Sequence, residues 1–126
     1  SIIEKETGKE NERELIASVL VNRINKGMRL QVDPTVIYGI TKGMKKLERN
    51  LNSSDLKRPT EYNTYLLPGL PQGPICNPGL ASIKAAANPK NTDFLYFVAD
   101  GEGGHLFSKD LSTHLNNVKA WKQRFN

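Results

Sequence analysis

The chain has 126 residues, which fits one domain and leaves little room for two. Its 18 Lys and Arg outweigh 13 Asp and Glu, and the formal net charge of +5 is a moderate positive field that attracts polyanions without requiring one. The single cysteine, Cys76, excludes an internal disulfide, and no apolar run approaches the roughly 20 residues that span a bilayer.

Residues 1–7 read as the end of a helix, with Gly8 as a left-handed stop. The opening Ser-Ile-Ile-Glu has no cap before a helical pattern, so the chain reads as a fragment of a longer protein. A second helix is predicted over 11–26, where Leu15, Ile16, Val19, Leu20 and Ile24 recur at helical spacing and Gly27 closes the pattern. Residues 28–33 read as extended. Pro34 keeps Asp33 out of helical geometry and opens a short helix through Thr35, Val36, Ile37 and Tyr38. The stretch 41–60 carries Lys42, Lys45, Lys46, Arg49, Lys57 and Arg58, with Ser53 or Ser54 able to cap one further turn. Pro68, Pro71, Pro74 and Pro78 exclude a long helix or a central strand over 62–78. Asn77 is the expected N-cap of a helix that runs through Ala87 and stops before Pro89. A strand over 94–99, an Asp100-Gly101 turn and a returning strand over 105–108 make a hairpin. An amphipathic helix carrying Leu111, Leu115, Val118, Trp121 and Phe125 ends the chain. The fold class expected is α+β: a mostly helical single domain with a small antiparallel sheet, including the hairpin near residues 94–108.

Three segments carry more polar and aromatic side chains than such a scaffold needs: Glu4 to Thr7; Gln31 to Thr35 with Tyr38; and Tyr62, Asn63, Thr64 and Tyr65. Glu4 and Glu6 stand two residues apart, about 200° round a helix, so only one of them can face a given cleft. The Tyr-Asn-Thr-Tyr segment sets hydroxyl and amide groups beside aromatic faces, the mixture that sugar rings require, though a turn packed on the domain explains it equally well. His105 and His114 read as structural histidines, and two His without clustered Cys or acids give no metal signature. The glycines at 101, 103 and 104 lack the Gly-Lys-Ser/Thr ending of a phosphate loop. The basic stretch 42–58 lacks interleaved aromatics and reads as a solvated face, so no nucleic-acid partner is expected. These residues alone stop at an α+β domain able to bind sugar.

The sequence also resembles the YceG-like (MltG-type) family of endolytic murein transglycosylases. The resemblance lies in Ser-Ile-Ile-Glu-Lys-Glu-Thr (1–7), Ile-Ala-Ser-Val-Leu-Val-Asn-Arg (16–23) and Gly-Met-Arg-Leu-Gln-Val-Asp-Pro-Thr-Val-Ile-Tyr-Gly (27–39). It continues through Tyr-Asn-Thr-Tyr (62–65), Gly-Leu-Pro-Gln-Gly-Pro-Ile (69–75), Asn-Pro-Gly (77–79) and Leu-Tyr-Phe-Val-Ala-Asp-Gly-Glu-Gly-Gly-His-Leu-Phe (95–107). One departure is Asn88, where many relatives carry His before Pro. The resemblance implies that residues 1–126 are a catalytic-domain fragment, with a membrane anchor and a LysM-like domain upstream. It implies Glu6 as the acid–base residue, and work on peptidoglycan glycan strands at the extracytoplasmic, periplasmic face of the bacterial inner membrane, with cell-wall synthases as possible partners. Gln31, Asp33, Tyr38, Tyr62, Asn63, Thr64 and Tyr65 are the candidates for holding the glycan. The implied reaction breaks the β-1,4 bond between N-acetylmuramic acid and N-acetylglucosamine and leaves 1,6-anhydro ends; a non-catalytic peptidoglycan-binding module is the alternative. No cofactor and no metal are expected.

Overall fold

The computed structural model describes residues 1–125. Along the chain run α1 (Ile2–Glu6), a 3-10 turn (Glu10–Glu12), α2 (Arg13–Asn25), α3 (Asp33–Thr41), α4 (Ser53–Leu56), α5 (Leu80–Ala87), β1 (Tyr96–Ala99), β2 (His105–Ser108) and α6 (Leu111–Phe125). The two strands pair antiparallel, Tyr96 opposite Ser108 and Ala99 opposite His105. The architecture is the expected α+β domain. Among the described residues no helix is long and apolar enough to cross a membrane.

Helix α2 is the axis of the domain. Ile16, Ala17, Ser18, Val19 and Leu20 are all buried in succession, because α1, α5, the 3-10 turn and β1 all pack against it. Its outward face, with Glu14, Val21, Ile24 and Asn25 exposed, mixes polar and apolar residues. The core joins Ile2 and Ile3 of α1, Ile16, Ala17 and Leu20 of α2, Leu30 and Val32 of the following segment, and Ile75 of the Pro-rich loop. Arg23 lies one helical turn beyond Leu20 on the buried side, without a carboxylate partner among the described residues. Its guanidinium instead donates to Leu95 O at 2.6 Å, Arg29 O at 2.8 Å and Leu30 O at 3.2 Å, and lies 5.0 Å from the Tyr96 ring centroid. These contacts tie the end of α2 to β1 and to the segment leading into α3.

Several expected details are corrected. Gly8 is not a left-handed stop: α1 ends as Thr7 turns extended, φ −146° and ψ 145°. The cap of α4 is Asn52, whose side chain accepts from Asp55 N–H while Asp55 accepts from Asn52 N–H, so Ser53 and Ser54 fall inside the helix. Asn77 does not cap α5. The cap residue is Gly79, and its N–H donates to Glu4 Oε1 at 2.7 Å, so a carboxylate from another helix does the work. The first strand begins at Tyr96 rather than Phe94. Helix α6 lies along the hairpin, but Leu115 is 54% exposed and Trp121 36% exposed. His114 of α6 stacks on Tyr96 of β1, with ring centroids 4.9 Å apart. The side chain of Phe125 lies outside the described residues.

Candidate active site

Glu4 and Glu6 leave α1 on different sides, as their spacing requires. Glu4 Oε1 accepts from Gly79 N–H and, at 3.0 Å, from Ser82 Oγ–H. Those two bonds hold its carboxyl below the usual range. Glu4 is thereby committed to joining α1 to the start of α5.

Glu6 is the last residue of α1. Among the described residues no hydrogen bond or ion pair engages its side chain, which is half-buried. Burial first, and the negative charge of Asp33 second, push its carboxyl up to about 7 from an ordinary 4.5. Desolvation disfavours the charged form and a neighbouring anion disfavours it further. Ile2 and Ile3, one turn earlier on the same helix, belong to the buried core. A carboxyl half protonated near neutrality is poised both to give and to take a proton.

Asp33 is the first residue of α3, inside the helix rather than kept out of it by Pro34, and its side chain makes no cap bond. Its Oδ1 accepts from Tyr65 Oη–H at 2.7 Å. The Tyr65 hydroxyl is pushed well above its ordinary range, by burial, by this bond and by the charges of Asp33 and Glu6. Glu6, Asp33 and Tyr65 therefore share one electrostatic environment, although they come from α1, α3 and the 57–79 loop.

A knot of threonines fixes that meeting. Thr64 Oγ1 accepts from Val32 N–H at 3.0 Å and lies 2.8 Å from Thr35 Oγ1, which donates to Val32 O at 2.7 Å. Gln31 N–H donates to Thr64 O at 3.2 Å. Gln31 takes a left-handed backbone, φ +52°, which aims its exposed side chain outward and costs about 1 kcal/mol for a residue with a Cβ. The surrounding bonds hold it there.

Asn63 and Thr64 were expected to touch sugar, and the structure assigns them otherwise. Both are 0% exposed. Asn63 Nδ2 donates to Leu56 O and Arg58 O, and its Oδ1 accepts from Tyr65 N–H. Their polar groups are spent inside, where a ligand cannot reach. They position Tyr65 and Gln31, which can be reached. Tyr38 and Tyr62 are half-buried and meet edge to face, 4.6 Å between centroids. Tyr38 also lines a cleft of about 1160 Å³, together with Asp33, Lys5 and Ile75. Glu6 does not line this cleft; Asp33, whose charge acts on Glu6, does. Among the described residues no cluster of His, Cys, Asp and Glu could hold a metal ion.

Two supporting residues escaped the sequence reading. Glu12, in an acidic run that looks like surface, is buried. It accepts from Thr7 Oγ1–H at 3.3 Å and from His105 N–H at 2.8 Å, and sits 2.8 Å from His105 Nδ1. It thus braces the turn after Glu6 against the hairpin. Arg23 is the other, and it did carry a signal: it falls seven residues after Ile16, at a core position of the helical pattern.

Residues 1–120 match the model of the YceG-like family. The chain belongs to that family. It is 43% identical over 114 residues to an endolytic murein transglycosylase of Bacillus subtilis (strain 168), which covers 90% of this chain and 31% of the relative. It is 36% identical over 124 residues to an endolytic murein transglycosylase of Streptococcus pneumoniae serotype 2, covering 94% of this chain and 22% of the relative. The crystal structure of a YceG-like protein from Listeria monocytogenes superposes with a TM-score of 0.84 at 44% identity, covering 92% of this chain and 37% of the other. The chain therefore spans about a third or less of the length of the curated relatives it matches. As a YceG-like chain, it places its Glu-Lys-Glu-Thr string at the end of α1, where the second Glu is the desolvated one.

Proposed function

We propose that this chain is the catalytic portion of an endolytic murein transglycosylase that uses Glu6 as its one acid–base residue. The observation that carries the reading is the state of Glu6: half-buried, with no hydrogen bond or ion pair to its side chain among the described residues, and pushed up towards neutrality beside Asp33, which also holds Tyr65. The names of the relatives support the substrate class.

Ordinary glycosidases employ two carboxylates and end on water. Here protonated Glu6 donates its proton to the glycosidic oxygen between N-acetylmuramic acid and N-acetylglucosamine, and the C1–O bond breaks. The carboxylate left behind takes the proton of the muramyl C6 hydroxyl as O6 bonds to C1. The products are a strand ending in N-acetylglucosamine and one ending in 1,6-anhydromuramic acid, with Glu6 protonated again. The fixed negative charge of Asp33 favours positive charge developing at C1. Tyr65 steadies that carboxylate, and Gln31 and Tyr38 are the reachable groups for orienting the sugar. An extracytoplasmic site of action follows from where murein lies. The membrane anchor, the LysM-like domain and the synthase partners join this proposal through the family resemblance alone.

The test is digestion of murein in ¹⁸O-water followed by mass spectrometry. Unlabelled 1,6-anhydromuramic ends are expected. Labelled reducing ends mean that water is the acceptor, and overturn the transglycosylase assignment.

A further inference from the structure

The basic stretch after α3 does more than meet solvent. Lys45 and Lys46 line the cleft of about 1160 Å³, and Lys5 of the catalytic helix lines it too. All three are exposed, and among the described residues no hydrogen bond or ion pair engages their side chains. Arg49 also lines the cleft but is committed, with Nη1 2.6 Å and Nη2 2.9 Å from the two oxygens of Asp55. Asp33, whose charge acts on Glu6, is the one acid among the described lining residues. Three uncommitted cations against one carboxylate make a positive field, which a concave surface focuses. Apolar side chains share the lining, notably Met44, 87% exposed, and Trp121, 36% exposed. The volume exceeds the roughly 300–1,000 Å³ typical of a small-ligand site, so a single sugar ring would leave most of it empty.

We infer that this cleft takes the carboxylate-bearing peptide that murein carries on its muramic acid, and that Lys5, Lys45 and Lys46 are specificity-determining residues for it. The inference rests on the murein reading and deepens it. In murein the peptide is joined to the lactyl group of the muramic acid, the sugar whose C1 is attacked. A strand with its scissile bond at Glu6 therefore projects a peptide from a point beside Asp33, into the cleft. The mixture of lysines with Met44 and Trp121 suits a peptide, with its aliphatic side chains and carboxylates. A polyol-phosphate polymer offers charge but no apolar surface.

The test is calorimetric titration of the purified protein with a soluble disaccharide–peptide, once with free peptide carboxylates and once with every carboxylate amidated. The free form should bind about tenfold more tightly, with an advantage that fades as salt rises. Lys45→Glu with Lys46→Glu should abolish the difference, and Lys45→Arg with Lys46→Arg should restore most of it; both lysines are exposed, so the fold tolerates the changes. Equal affinity for the two forms, unaltered by the Glu substitutions, overturns the inference even if murein is cleaved. Tighter binding of a glycerol-phosphate oligomer than of the free peptide form overturns it as well. Charge-dependent binding without cleavage of any strand would sink the catalytic reading and leave the peptide subsite standing.

Discussion

Replacing Glu6 with Gln tests the acid at its root, because it removes a proton and keeps the shape. The site raises this carboxyl from 4.5 to about 7. At 1.36 kcal/mol per pKa unit that shift amounts to about 3 kcal/mol against the ionised form. Below pH 4.5 both folded and unfolded chains hold the proton and nothing is lost. As the pH climbs towards 7 the unfolded carboxyl ionises while the folded one does not, so stability falls with rising pH. Above the folded value the loss is complete and constant. Glu6→Gln has no such proton. Thermal unfolding of both proteins at pH 5 and pH 8 should therefore show the variant gaining about 2–3 kcal/mol on the parent between those conditions, a shift on the order of 10 °C for a domain of this size. The same substitution should lower the rate of strand cleavage by at least about 100-fold. In the parent, kcat/KM should fall on the alkaline side with an apparent pKa of about 7, as the acid form disappears. A stability difference indifferent to pH would show that Glu6 is solvated and refute the argument. Retained cleavage by Glu6→Gln would remove Glu6 from the chemistry.

Asp33→Asn removes the anion that reinforces the shift, so the alkaline limb of kcat/KM should move to lower pH; an unmoved limb would show that Asp33 does not act on Glu6. Glu4→Gln weakens the bonds to Gly79 and Ser82, so it should lower the melting temperature while folded protein keeps most of its cleavage activity. A large loss of rate at full folding would reverse the roles of the two glutamates. Asn63→Ala leaves Leu56 O, Arg58 O and Tyr65 N–H without their partner, and should cost at least about 2 kcal/mol in urea unfolding.

The elements were legible wherever one local rule decided them. Gly27 closes α2 at φ +72°, as its place after the apolar pattern required, and the Asp100-Gly101 turn joins the two expected strands. What failed depended on partners distant in sequence. Nothing near residue 79 announces that α5 starts there, because its first N–H is satisfied by Glu4, 75 residues earlier. Glu12 looks like surface until His105 arrives from 93 residues away to meet it. The stripe on α6 was real, but Leu115 stays exposed while His114 stacks on Tyr96.

The site shows the same division. The helical angle between Glu4 and Glu6 was available from spacing alone, and each carboxylate has its own surroundings as that angle demands. Spacing could not say which one loses its water. That depends on whether a helix N-terminus or an apolar wall receives the side chain. Glu4 meets the N–H of Gly79, which rewards the charged form. Glu6 meets burial and the charge of Asp33, which reward the neutral form. The Tyr-Asn-Thr-Tyr string divides likewise. Its outer tyrosines keep surface, while Asn63 and Thr64 turn inward and fix the loop from beneath. A polar string built to hold a ligand and one built to hold a loop look alike in sequence. Here Asn63 and Thr64 hold the loop, and Tyr65 can hold Asp33 only while they hold Tyr65.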